Sequence, residues 1–144
     1  MLIRQMEKTD TSQVAEIEKE NFTMPWSKNG FDESLDLDNT IFLVAEDEGK
    51  VVGYIGMYLS IDEGEITNVS VAKEYRRQRI ATQLIESLEV CAKKSGINRI
   101  ILEVRVSNTP AIKAYERLEF KSIGIRKNFY EKPKEDAYIM EVSI

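Results

Sequence analysis

The 144-residue chain has no histidine and a single cysteine, Cys91. The first absence removes the commonest general base and metal ligand, and with it every hydrolase whose serine or cysteine is activated by an imidazole. One cysteine cannot close a disulfide within the chain and offers no zinc site of ordinary type. With no histidine to activate it, Cys91 reads as an inert core residue. The sequence has no Gly-x-x-x-x-Gly-Lys-Ser/Thr loop and no Gly-x-Gly-x-x-Gly turn, so nucleotide hydrolysis and dinucleotide redox chemistry have no foothold. No apolar run approaches the ~18 residues of a membrane span, and Met1-Leu2-Ile3-Arg4-Gln5 lacks the basic segment and apolar core of a secretory signal. The expectation is a soluble protein of a reducing cytoplasm, with no metal and no membrane partner. Positive charge is also in deficit, 20 Lys and Arg against 25 Asp and Glu, a net −5. Direct nucleic-acid binding is therefore not expected, and any phosphate recognition must come from a local cluster.

What remains is one domain's length of chain, 1–144, with scattered prolines and glycines and no linker or repeat. Leu2 to Met6 reads as a strand. Thr9-Asp10-Thr11-Ser12 offers caps for a helix with Val14, Ile17 and Phe22 as its apolar stripe, and Ser27 caps a shorter helix carrying Phe31 and Leu35. Ile41 to Ala45, the turn Asp47-Glu48-Gly49-Lys50 and Val51 to Leu59 form a hairpin, and Asp62-Glu63-Gly64 turns into a third strand, Glu65 to Val71. From Ile80 the positions Leu84, Ile85, Leu88, Cys91 and Ala92 recur at helical spacing until Gly96. Arg99 to Val104 is a strand and Thr109 to Leu118 a helix with Pro110 in its first turn. Lys121 to Asn128 and Ala137 to Val142 close the sheet. The fold class is α/β of the α+β type: a mixed, mostly antiparallel sheet with helices on both faces.

Between the third strand and the long helix lies Tyr75-Arg76-Arg77-Gln78-Arg79. A basic loop entering a helix N-terminus gathers free backbone amides and the positive end of the helix dipole, an arrangement suited to a pyrophosphate. Here the sequence resembles the GNAT superfamily of N-acetyltransferases, and within it the bacterial enzymes that acetylate the N-terminal alanine of a small-subunit ribosomal protein. The resemblance rests on Asn68-Val69-Ser70-Val71 with Arg76 to Ala81, on Leu102-Glu103-Val104-Arg105 running through Asn108 and Ala111 to Tyr115 and Phe120, on Pro25-Trp26-Ser27, and on Glu135-Asp136-Ala137 with Met140. It implies acetyl-CoA as co-substrate, bound by Val69, Ser70, Val71, Arg76, Arg77, Gln78, Arg79, Ile80, Ala81, Thr82 and Asn108. It implies a ribosomal-protein N-terminus as acceptor. Two glycines of the family pattern are replaced, by Arg79 in the loop and by Glu119 after the last helix. Each substitution gives up the residue that best tolerates a positive φ.

Acetyl transfer to an amine needs a base, a donor to the developing oxyanion and a proton for the leaving thiolate. Glu103 stands in an otherwise apolar strand on the face shared with Ile101 and Arg105. Its bland reading is an ion pair with Arg105, and the resemblance implies the general base. Tyr115 is by spacing a core aromatic, and the resemblance implies the general acid. Asn108 is an N-cap, with a cofactor contact implied besides. The Val71 amide could polarise the thioester carbonyl. Trp26 reads either as a core anchor or, with Tyr130, as a wall of the acceptor groove, in which Glu135 and Asp136 would attract a basic tail. A small-amine acetyltransferase for a polyamine or aminoglycoside, and a non-catalytic RNA-binding or ribosome-binding module, are the competing expectations.

Overall fold

In the computed structural model, which describes residues 1–144, the chain runs from strand β1 (Leu2–Gln5) through helices α1 (Thr11–Asn21) and α2 (Lys28–Leu35). A meander of β2 (Thr40–Asp47), β3 (Lys50–Ser60) and β4 (Glu63–Val71) follows. Helix α3 (Ile80–Lys94), strand β5 (Arg99–Arg105), helix α4 (Thr109–Arg117) and the hairpin of β6 (Lys121–Glu131) and β7 (Lys134–Ser143) complete it. One seven-stranded sheet results, in the order β1-β2-β3-β4-β5-β7-β6, antiparallel except where β4 meets β5. The expected mixed, mostly antiparallel sheet is therefore present. The turn before β4 falls one residue earlier than the Asp-Glu-Gly triplet suggested, with Ile61 left-handed, and the closing hairpin is longer than expected.

Alternation along the strands sends one set of side chains to each face. On one face Leu84, Ile85, Leu88 and Ala92 of α3 pack with Ile55, Ile100, Leu102 and Met140, and α4 adds Ile112 and Tyr115. On the other, Val14 and Ile17 of α1 and Phe31 of α2 cover Phe42, Val44 and Tyr54. Phe22 departs from the expected stripe: it lies just beyond α1 and is exposed. Cys91 is only partly buried, at the margin of the larger core.

Two features of β4 shape the functional region. Gly56 pairs with Asn68 but its neighbour Met57 pairs with Ile66, so Thr67 is an extra residue, a bulge that bends β4. Glycine is required at position 56 because a Cβ there would lie 2.3 Å from Cε1 of Phe42. The ladder to β5 covers only Glu63–Ile66 against Arg99–Leu102. Beyond it the two strands diverge, and Thr67 to Val71 form an open edge inside the sheet.

Both residues that replace family glycines adopt positive φ, Arg79 at 60° and Glu119 at 72°. Glu119 occupies the left-handed position after α4. Its amide donates to the Glu116 carbonyl and the Phe120 amide to that of Tyr115, each at 3.0 Å, while the Phe120 ring packs 5.7 Å from the Tyr115 ring. A side chain in this conformation costs about 1–2 kcal/mol, partly offset by the greater freedom glycine has when unfolded. Glu119→Gly is therefore expected to stabilise the chain by roughly 0.5–1 kcal/mol, read as a higher urea midpoint at unchanged slope.

Candidate active site

Where β4 and β5 part, a cleft of about 840 Å³ opens, walled by α1 and the loop Phe22 to Trp26 on one side and by the β6–β7 turn on the other. Of the residues singled out in the sequence, Trp26, Val69, Ser70, Val71, Arg76, Glu103, Asn108, Tyr115 and Tyr130 line it. Arg77, Gln78, Arg79, Ile80, Ala81 and Thr82 do not. They form the turn and the first turn of α3 that follow Arg76 in the chain.

The open edge is oriented by its pairing. Ala72 donates to the Val52 carbonyl on the β3 side at 2.8 Å, so alternation turns the amides of Val69 and Val71 the other way, toward the gap. In agreement, the Val71 carbonyl on that side accepts from Asn21 Nδ2 at 3.1 Å. At the start of α3 the first intrahelical bond runs from Gln83 to Arg79, and Arg79 supplies no side-chain cap. The amides of Ile80, Ala81 and Thr82 thus have no acceptor in the chain, and the left-handed turns at Arg77 and Arg79 shape the loop that leads to them. Arg76 is not free: its guanidinium donates to Asn21 Oδ1.

Across the gap stands Glu103, whose ion pair with Arg105 is absent. Arg105 instead bonds Glu135 at 3.2 Å and the carbonyls of Lys132 and Pro133 at 3.1 and 2.9 Å, and its guanidinium lies 4.1 Å from the centre of the Tyr130 ring. Glu103 Oε2 is buried with no N–H or O–H donor in reach, and another carboxyl, Glu65 of β4, interacts with it. Burial first, then the hydrogen bond and repulsion from Glu65, push the Glu103 carboxyl up to about 7, against a smaller opposing pull from Arg126. The raised carboxyl holds its proton further toward neutral pH than a free glutamate does. Glu65 was invisible in the sequence reading because it adjoins Glu103 only through the parallel ladder. Burial also raises the Tyr115 phenol, which therefore stays protonated at neutral pH.

Trp26 unites both of its readings. Its ring packs on Phe31 at 5.3 Å and on Phe42 and Tyr58 at 6.4 Å, and it also faces the cleft. Asn108 caps α4, accepting from the Ala111 amide at 3.3 Å, and lines the cleft as well. Glu135 and Asp136 are not free to attract a tail. The Ser107 amide at 2.7 Å and Arg105 hold Glu135 and keep its carboxyl below the usual range, and Asp136 accepts from the Asn128 amide at 2.8 Å. The unpaired carboxylate on that wall is Glu131. At the rim the Thr23 hydroxyl donates to the Lys132 carbonyl, joining the two walls.

The seven-stranded, mostly antiparallel sheet with helices on both faces, its β4 and β5 parted over the cleft, matches the fold of the GNAT acetyltransferases. The model of the acetyltransferase (GNAT) family matches residues 11–120, and the chain belongs to that family. It is 40% identical, over 99% of its own length and 95% of the relative's, to a Bacillus subtilis (strain 168) protein provisionally named a ribosomal protein bS18-alanine N-acetyltransferase. It is 33% identical, over 99% and 97%, to the Escherichia coli (strain K12) ribosomal protein bS18-alanine N-acetyltransferase. The crystal structure of the ribosomal-protein-S18-alanine N-acetyltransferase from Escherichia coli superposes with a TM-score of 0.90 over 99% of this chain and 93% of that one.

Proposed function

We propose that the chain transfers an acetyl group from acetyl-CoA to the N-terminal amine of a protein, with the N-terminal alanine of a small-subunit ribosomal protein as the acceptor. The observation that carries this reading is the convergence in one cleft of the outward-turned β4 edge, the Glu65–Glu103 pair and the Tyr115 phenol. Acetyl-CoA supplies an activated acyl group as a thioester. The acceptor-free amides at the start of α3 suit its pyrophosphate, and the Val69 and Val71 amides suit its arm and its thioester carbonyl. An α-amine has a pKa of about 8 and arrives mostly as ammonium, so the acidic side of the cleft attracts it. Glu103 takes the amine proton directly or through one water, and Tyr115 gives a proton to the departing sulfur.

A main-chain amine at the end of an extended segment can enter the groove between the Phe22–Trp26 loop and the β6–β7 turn, opposite the β4 edge that the cofactor takes, where backbone hydrogen bonds give affinity and the pocket reads the first side chain. The unpaired Glu131 on the β6–β7 wall suits the basic tail of a ribosomal protein. Calorimetric titration is expected to show acetyl-CoA binding, and its absence at millimolar cofactor ends the enzyme reading. A peptide with a free N-terminal alanine is expected to be acetylated faster than the same peptide blocked at its N-terminus but carrying a free lysine. A preference for the blocked peptide or for a polyamine overturns the acceptor assignment alone.

A further inference from the structure

One charged group on the cleft floor has no part in the proton transfers above. Glu18 of α1 is 3% exposed, yet neither lysine nor arginine pairs with it. Its carboxylate instead collects donors from three separate parts of the chain. The Tyr54 hydroxyl of β3 donates to Oε1 at 2.6 Å, the Trp26 amide to Oε2 at 3.0 Å, and Asn68 Nδ2 of β4 lies 3.4 Å from both oxygens. Asn68 is fixed in turn by the Thr67 hydroxyl, which donates to its Oδ1 at 2.7 Å, at the bulge that bends β4. Burial and the neighbouring carboxylate raise the Tyr54 phenol, so it remains a donor. An anion buried without a cation is costly unless donors replace its water, and an apolar residue would fill the space without that cost. The position therefore uses the acceptor capacity of a carboxylate. One helical turn on, Asn21 reaches the same strand at Ser70 and Val71.

We propose that Glu18 is a positioning residue that ties the acceptor-side loop, at Trp26, to the donor-side strand, at Asn68, and so sets the separation of the two substrates. The inference rests on the acetyl-transfer reading of the cleft, and it assigns Glu18 no contact with the reacting atoms. Trp26 ends the loop that walls the acceptor side, whereas Val69 and Val71 follow directly on Asn68. One carboxylate bridging both makes their spacing independent of the longer route through α2, β2 and β3.

The test is steady-state kinetics on purified Glu18→Gln and Tyr54→Phe chains, with peptide and acetyl-CoA varied separately, alongside acetyl-CoA affinity by calorimetry and the melting temperature. Glutamine keeps the volume but cannot accept from the Trp26 amide and the Tyr54 hydroxyl with both of its terminal atoms. Glu18→Gln is expected to lower kcat/KM for the peptide about tenfold, the size of one hydrogen bond to a charged acceptor, with acetyl-CoA affinity within about twofold of wild type. Tyr54→Phe shifts the same constant in the same direction, and the double variant loses less than the sum of the two, because each residue is the other's hydrogen-bond partner. A loss of acetyl-CoA affinity as large as the loss in kcat/KM for the peptide, or a lowered melting temperature with unchanged peptide kinetics, overturns the proposal. If Glu18→Gln does not fold, Tyr54→Phe alone decides by the same criteria. Should wild type prefer a small amine, the peptide reading fails on that result. The same two variants, assayed with that amine, then still decide whether Glu18 sets substrate spacing.

Discussion

Glu103→Gln is expected to lower turnover by roughly 10²-fold or more, with acetyl-CoA affinity little changed. The amide keeps the shape of the side chain and its place beside Glu65 but cannot accept the amine proton. The pH profile supplies the mechanism behind the number. With Glu103 pushed up to about 7, activity rises as pH rises through that region, because only the ionised form serves as base. Glu65→Gln removes a neighbouring negative charge, so the ionised form is favoured and the rising limb moves to lower pH. The limb belongs to the pair, and its displacement, not its absolute position, is the diagnostic. Stability runs the other way. The folded chain holds this proton more tightly than the unfolded chain, where the carboxyl has its ordinary value of 4.5, so stability declines as pH rises from about 4.5 to about 7. Glu103→Gln removes that slope. A turnover unchanged by the substitution would move base catalysis away from this strand.

Tyr115→Phe is expected to cost a similar factor in turnover, about 10²-fold, for the opposite transfer. The ring would keep its packing against Phe120 and the turn at Glu119 would keep its hydrogen bonds, so melting temperature should hold. What disappears is a proton donor that burial holds in its neutral form across physiological pH. Single-turnover measurement of thiol release separates this from slow product departure: the release step itself should slow. Full activity in the variant would mean that the thiolate leaves unassisted or is protonated by water.

Elements with strong periodicity were legible in the sequence. The α3 stripe from Ile80 to Ala92, the Gly49 hairpin and the Asn108 cap all stand where local chemistry put them. The family resemblance and the two departures at Arg79 and Glu119 were legible too, and the backbone at both positions is left-handed. Less legible was anything set by register between distant strands. Glu65 and Glu103 are 38 positions apart and meet because a four-residue parallel ladder aligns them. Glu18 looks like one more polar residue on an amphipathic helix until Tyr54, Asn68 and Trp26 are folded onto it. Glu135 and Asp136 were assigned to the acceptor because their partners, Arg105, Ser107 and Asn128, become neighbours only in the closed hairpin.

The bond from Thr23 to the Lys132 carbonyl carries a consequence for what the cleft can admit. It spans the rim between the α1–α2 loop and the β6–β7 turn, while Arg105 holds that turn from beneath through two carbonyls. A groove bridged in this way behaves as a port, and a polymer passes a port by threading. A free chain end can enter tip first, between the Phe22–Trp26 loop and the β6–β7 turn. An internal stretch of main chain has no tip and must break the bridge first, at about 1 kcal/mol, a bias of roughly fivefold. Selection for termini would then begin at entry, by cross-section, before any proton moves.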